Sequence, residues 1–171
     1  MKNWRFTHSH NPMLLTMHDC IVTKIDLESA EDHTTMTWYL PEGIWVAPGI
    51  PCHEIKEICR TAEAGVVFEA EHLNHEWDQE AAICMKSRWH GKDKRMNTET
   101  WAHMTFAEFI TRMQKESWSL EIISTYTEGV CFYITGEINT PKERRWRSFR
   151  LTFCAETANY YWNAIHPDRV W

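Results

Sequence analysis

At 171 residues, 43% of them hydrophobic and 25% charged, the chain can build one sizeable core and is short for two, so a single domain over 1–171 is expected. Its formal net charge of −6 excludes a general affinity for nucleic acid or an anionic membrane, though not a local basic patch. The apolar runs are a few residues long, far below the roughly 20 of a membrane-crossing helix, so no membrane partner is expected.

The first stretch, Met1 to Met17, carries Trp4, Arg5, His8, His10 and Pro12 and no continuous apolar run of signal-peptide type. A cytoplasmic location is therefore expected. Alternation of apolar and polar residues with period two is the dominant pattern. Ile21, Thr23, Ile25 and Leu27 alternate with Val22, Lys24 and Asp26, which predicts one strand. Thr34 to Leu40 predicts a second, with Met36, Trp38 and Leu40 on one face. Pro41-Glu42-Gly43 predicts a turn, and Ile44 to Val46 a third extended stretch that completes a meander.

Cys52 to Ala64 is ambiguous, because Ile55, Ile58 and Cys59 have helical spacing in a short segment that follows a proline. Val66 to Leu73 and Ala81 to Trp89 predict a strand pair. Antiparallel pairing would set Glu69 and Glu71 against Lys86 and Arg88. His90 to Thr100 is polar and predicts an exposed loop. The helix is clearer. Thr105 and Glu108 form an S/T-x-x-E capping box, and Phe106, Phe109, Ile110 and Met113 make one apolar stripe. Leu120, Ile122, Ser124 and Tyr126 then predict a strand. Thr127-Glu128-Gly129 closes a hairpin to Val130, Phe132, Ile134 and Ile138. Arg144 to Cys154 predicts a further strand with Phe149, Leu151 and Phe153 on one face. Tyr160-Tyr161-Trp162 and the end from His166 to Trp171 are expected to cover the sheet. The expected class is α+β: a predominantly antiparallel β-sheet with one amphipathic helix at about 105–116 packed on it.

Six cysteines, Cys20, Cys52, Cys59, Cys84, Cys131 and Cys154, sit mostly in apolar strand-like runs. Cysteine behaves there as a small hydrophobe, so free thiols are expected. The best metal grouping is Cys52, Cys59, His72 and His75, but six residues between the cysteines is not a zinc knuckle, and no metal is expected. His18, Asp19 and Cys20 hold the residue types of a thiol nucleophile, base and orienter. No oxyanion loop follows them, and a strand beginning with polar residues explains them better. Glu69 with Glu71, and Glu76 with Asp78, are expected on a solvated face. Phosphate-loop, dinucleotide, hydrolase-elbow and zincin motifs are absent, and no cofactor is expected.

Lys142 to Arg150 interleaves arginines with Trp146 and Phe149, as a single-stranded nucleic-acid site would. The negative net charge favours instead the charged face of an edge strand, or an acidic protein partner. Ten tryptophans are the most unusual feature of composition, and tryptophan suits interface anchors. Trp38 and Trp118 are expected in the core. Trp77, Trp89 and Trp101, with Arg145 and Arg147, are the expected contacts to a ligand or partner. The expectation is a non-enzymatic binding protein of inhibitor or immunity type. The alternatives are a small-molecule-binding β domain with a tryptophan-lined pocket, and an enzyme using His18 and Cys20 or the Glu69 and Glu71 region.

Overall fold

Antiparallel strands make up most of the described residues, with one helix packed on them. The computed structural model describes residues 3–30, 33–50, 56–70, 79–90, 95–141 and 143–170, without the side chains of 79, 85–90, 95–99, 143–146 and 167–169. In chain order the elements are β1 (Phe6–Ser9), β2 (Leu15–Thr16), β3 (Cys20–Val22), β4 (Lys24–Ser29), β5 (Thr34–Leu40), β6 (Trp45–Val46), β7 (Cys59–Thr61) and β8 (Ala64–Ala70). Then come β9 (Gln79–His90), β10 (Arg95–Met104), α1 (Phe106–Glu116), β11 (Ser119–Glu128), β12 (Cys131–Thr140), β13 (Glu143–Cys154), β14 (Thr157–Trp162) and β15 (Ile165–Val170). They form a five-stranded sheet β1-β14-β8-β5-β4, a six-stranded sheet β10-β9-β13-β12-β11-β3 and a small four-stranded sheet β15-β7-β6-β2.

The two large sheets bury their apolar faces against each other. Trp38 and Phe68 from the five-stranded sheet meet Phe132 and Phe153 from the six-stranded one. Phe68 lies edge-on to Phe153 at 4.9 Å and to Phe132 at 5.1 Å. Phe132 and Phe153 stack at 5.4 Å. These geometries add to the area buried, by about 0.5–1.5 kcal/mol per pair. The helix closes one side. Its capping box is complete, with the Thr105 hydroxyl accepting from Glu108 N–H and the Glu108 carboxylate accepting from Thr105 N–H. Phe106, Phe109, Ile110 and Met113 are buried as expected. Ser117 in the left-handed region ends the helix.

Several expectations are corrected. The stretch from Ile21 to Leu27 is two strands, because Thr23 and Lys24 are exposed in succession and the buried phase shifts from Cys20 and Val22 to Ile25. At that point the chain leaves the six-stranded sheet, where β3 pairs with β11, and enters the five-stranded one, where β4 pairs with β5. The meander ends after β5. Gly43, at φ +80° and backed by Ala62 and Thr61, turns the chain into the four-stranded sheet instead. The helical spacing before Ala64 resolves into β7 for Cys59–Thr61, while residues 51–55 lie outside the described residues.

The expected pair β8 and β9 belongs to different sheets: β8 lies between β5 and β14, and β9 between β10 and β13. Glu69 accordingly does not face a β9 base but accepts from the Thr157 hydroxyl at 2.8 Å. Residues 95–100, expected as loop, are the first part of β10 and pair in register with β9. Their polar sequence hides a strand because it carries no apolar alternation, whereas the ladder to β9 is made by backbone pairing. Tyr160 to Trp162 is not a cover but β14, between β1 and β8, with Tyr160 and Trp162 fully buried. Cys131 and Cys154 are directly opposed on β12 and β13 and joined by a disulfide. The free-thiol expectation fails there because antiparallel register brings their Cα atoms to 4.0 Å. Cys20, Cys59 and Cys84 are free and buried.

Candidate partner-binding face

The six-stranded sheet has one face in the core and one turned outward, and the register of its strands defines the outward set. Phe149, Leu151 and Phe153 point inward, so Arg150 and Thr152 point out. Arg150 is opposite Thr135 on β12 and Ala82 on β9, and Ala82 is opposite His103 on β10. Trp101 sits two residues before His103, opposite Cys84. The Arg150 guanidinium lies 4.1 Å from the centre of the Trp101 ring, within cation–π range. The small side chains Ala82 and Cys84, opposite them in register, are buried although on the outward face. Glu80 and His103 pair beside them. Glu80, Ala82, Trp101, His103, Arg150 and Thr152 border a cavity of about 130 Å³.

Towards the other edge the face becomes acidic and aromatic. The β11–β12 ladder places Glu121 directly opposite Glu137 and Tyr126 directly opposite Tyr133. The tyrosine rings lie 5.9 Å apart. Neither glutamate has an ion-pair partner among the described residues. Like charges in directly opposed positions destabilise a sheet. Four of the seven exposed large hydrophobics among the described residues, Ile123, Tyr126, Val130 and Tyr133, lie on this one hairpin. The half-buried Cys131–Cys154 bridge closes the end of the same face, beside Tyr133 and Thr152.

A β-bulge between Ile122 and Ser124 produces this arrangement. Simple alternation puts Ser124 and Tyr126 on the buried side with Leu120 and Ile122. The extra residue reverses the phase, turns Tyr126 out to 60% exposure and turns Thr125 inward. Opposite the bulge is Gly136, where a β-carbon would overlap the Glu121 carbonyl and the Phe149 ring.

Of the expected contact residues, Trp101 belongs to this face. Arg147 shares the side of Phe149 and is half-buried, so the sheet separates it from Trp101. Trp89 and Arg145 lie on β9 and β13 with side chains outside the description, and Trp77 lies outside the described residues. Among the metal candidates, Cys59 is buried at the start of β7 and Cys52, His72 and His75 fall outside the described residues. Sequence reasoning singled out Arg150 only as part of a basic run and missed Glu80, His103 and Tyr133. Their convergence depends on strand register, which no local pattern carries.

Of the His18, Asp19 and Cys20 group, His18 and Asp19 pair at 3.4 Å, but Cys20 does not join them. Asp19 has φ +54°, so the rule that strand residues i and i+2 share a face fails. His18 Nδ1–H donates to the Ile123 carbonyl at 2.5 Å, while Cys20 is fully buried. Burial pushes the Cys20 thiol up to about 12, overcoming the nearby Arg60 charge, which is the opposite of an activated nucleophile. Arg60 instead ties loops together. It donates to the carbonyls of Glu42 at 2.9 Å and Asp19 at 3.1 Å and lies over the Trp45 ring.

No helix among the described residues is long and apolar enough to cross a membrane. Compared with protein-family models, curated proteins and solved structures, the chain matches none of them.

Proposed function

We propose that this chain is a non-enzymatic binding protein of inhibitor or immunity type, and that the outward face of the six-stranded sheet receives a basic protein partner. The observation that carries the reading is the opposed pair Glu121 and Glu137 beside the exposed Tyr126 and Tyr133. Together with Glu80 and Glu128, these carboxylates outnumber Arg150 among the described side chains of the face. An electronegative patch on a chain of net charge −6 steers a cationic partner and gives it counter-charges on arrival. Tyr126, Tyr133, Trp101 and Arg150 are of the residue types that dominate binding energy at protein interfaces. The cavity beside Trp101, at about 130 Å³, is smaller than the roughly 300–1,000 Å³ of small-molecule sites. The groove between β4 and α1 reaches about 500 Å³ but is lined by no tryptophan, so the described residues favour the partner reading over a tryptophan-lined pocket.

The test is capture from native extract by the immobilised full chain. The expected result is a basic protein held by the wild type and by Lys115→Ala on the exposed side of α1, released by salt, and lost with Tyr126→Ala and Trp101→Ala. Recovery of no partner at any stoichiometry, or equal recovery by all variants, overturns the proposal. The Cys131–Cys154 bridge pulls against the expected cytoplasmic setting, because disulfides persist mainly in oxidising compartments. Alkylation of those two cysteines in freshly lysed cells decides between the two.

A further inference from the structure

The inward turn of Thr125 at the β11 bulge has a second result at the end of the sandwich. The segment that carries His10 and leads to β2 crosses there, between β14 and β11. His10 Nδ1 is hydrogen-bonded to the Tyr160 hydroxyl at 3.0 Å. The imidazole is stacked on Tyr160 and edge-on to Phe132. Its other nitrogen, Nε2, is buried with no hydrogen-bond partner among the described residues, and so is Thr125 Oγ1. Both residues line one cavity of about 60 Å³, together with Thr127, Tyr160, Leu15 and Met17.

A buried imidazole nitrogen and a buried hydroxyl each cost about 1–3 kcal/mol when left without a partner. Two such atoms bordering the same space are a site that selects for a hydrogen-bonding occupant. A water needs about 10–15 Å³ of such space and two to four polar neighbours. His10, Thr125, Thr127 and Tyr160 provide those neighbours, whereas the volume is far too small for a drug-sized ligand. Burial also lowers the tendency of His10 to take a proton, which favours a neutral guest over an anion.

We propose that the cavity bounded by His10, Thr125 and Tyr160 is an internal hydration site whose ordered waters, about two in number, link His10 Nε2 to Thr125 Oγ1. Through them the segment before β2 is joined to β11, a connection that no direct side-chain bond between His10 and Thr125 makes.

Two measurements on the full chain test this. Water–protein NOE spectra of the wild type are expected to show long-lived water at the His10 ring and the Thr125 side chain; absence of both signals overturns the proposal. Thr125→Val removes the hydroxyl at nearly constant volume. If waters bridge it to His10, the folded-to-unfolded ratio falls about fivefold and the water signal at His10 weakens. If the hydroxyl has no bound partner, the ratio stays level or rises, because an unsatisfied polar atom has been removed, and the proposal fails. Should the valine variant not fold, the wild-type NOE result alone decides.

Discussion

The two faces of the six-stranded sheet are built from the same strands and follow opposite rules. On the inward face Phe132, Phe149, Leu151 and Phe153 are almost wholly buried, and ring meets ring across the sandwich. On the outward face two glutamates are opposed, two tyrosines are exposed, and an arginine lies over a tryptophan. A sheet selected for stability alone would pair those charges and cover those rings. The contrast teaches that the inner face specifies the fold, while the outer face departs from what stability alone would select, as the proposed partner contact requires.

The largest effect expected from breaking this comparison lies inside. Phe153 contacts Trp38, Phe68, Phe106 and Phe132 and is fully buried. Phe153→Ala is expected to lower stability by about 3–5 kcal/mol, read as a fall in the urea midpoint. Tyr126→Ala outside is expected to change it by less than about 0.5 kcal/mol.

Next comes the bridge. Cys131 and Cys154 close a loop with a sequence separation of 23, for which chain entropy gives about 3 kcal/mol. Reduction, or replacement of both cysteines by serine, is expected to lower the midpoint by that amount with near-native circular dichroism below the transition.

A smaller effect distinguishes the cavity end of the sandwich. Burial holds the His10 pKa below its ordinary 6.5, so the folded chain resists a proton that the unfolded chain accepts. Stability from this group is therefore complete above pH 6.5. It is lost as the pH falls below that value, and the loss stops only beneath the lowered folded pKa. Denaturation midpoints of wild type and His10→Gln, followed from pH 8 to pH 5, are expected to converge as the acid limb is reached, because only the wild type carries this term.

Much of the inner face was legible in the sequence, and the outer face was not. Met36, Trp38 and Leu40, Phe149, Leu151 and Phe153, and the capped stripe from Phe106 to Met113 obey simple periods because one-sided burial imposes them. Periodicity fails where the backbone changes phase, at Thr23–Lys24 between two sheets and at the bulge after Ile122. It is silent on which strands pair. His10 meets Tyr160 across 150 residues of sequence, and Trp101, Arg150 and Glu80 come together from three strands. Cys131 and Cys154 look like small hydrophobes in the sequence for the same reason, since their opposition is a fact of register.

The measurement closest to the central claim is the urea midpoint of Glu121→Gln. Removing one charge of the opposed pair is expected to raise stability by about 0.5 kcal/mol, as it should if Glu121 and Glu137 are kept for a cationic partner and not for the fold. A lower midpoint would mean that the Glu121 carboxylate is already satisfied within the chain, and would contradict the assignment of this face.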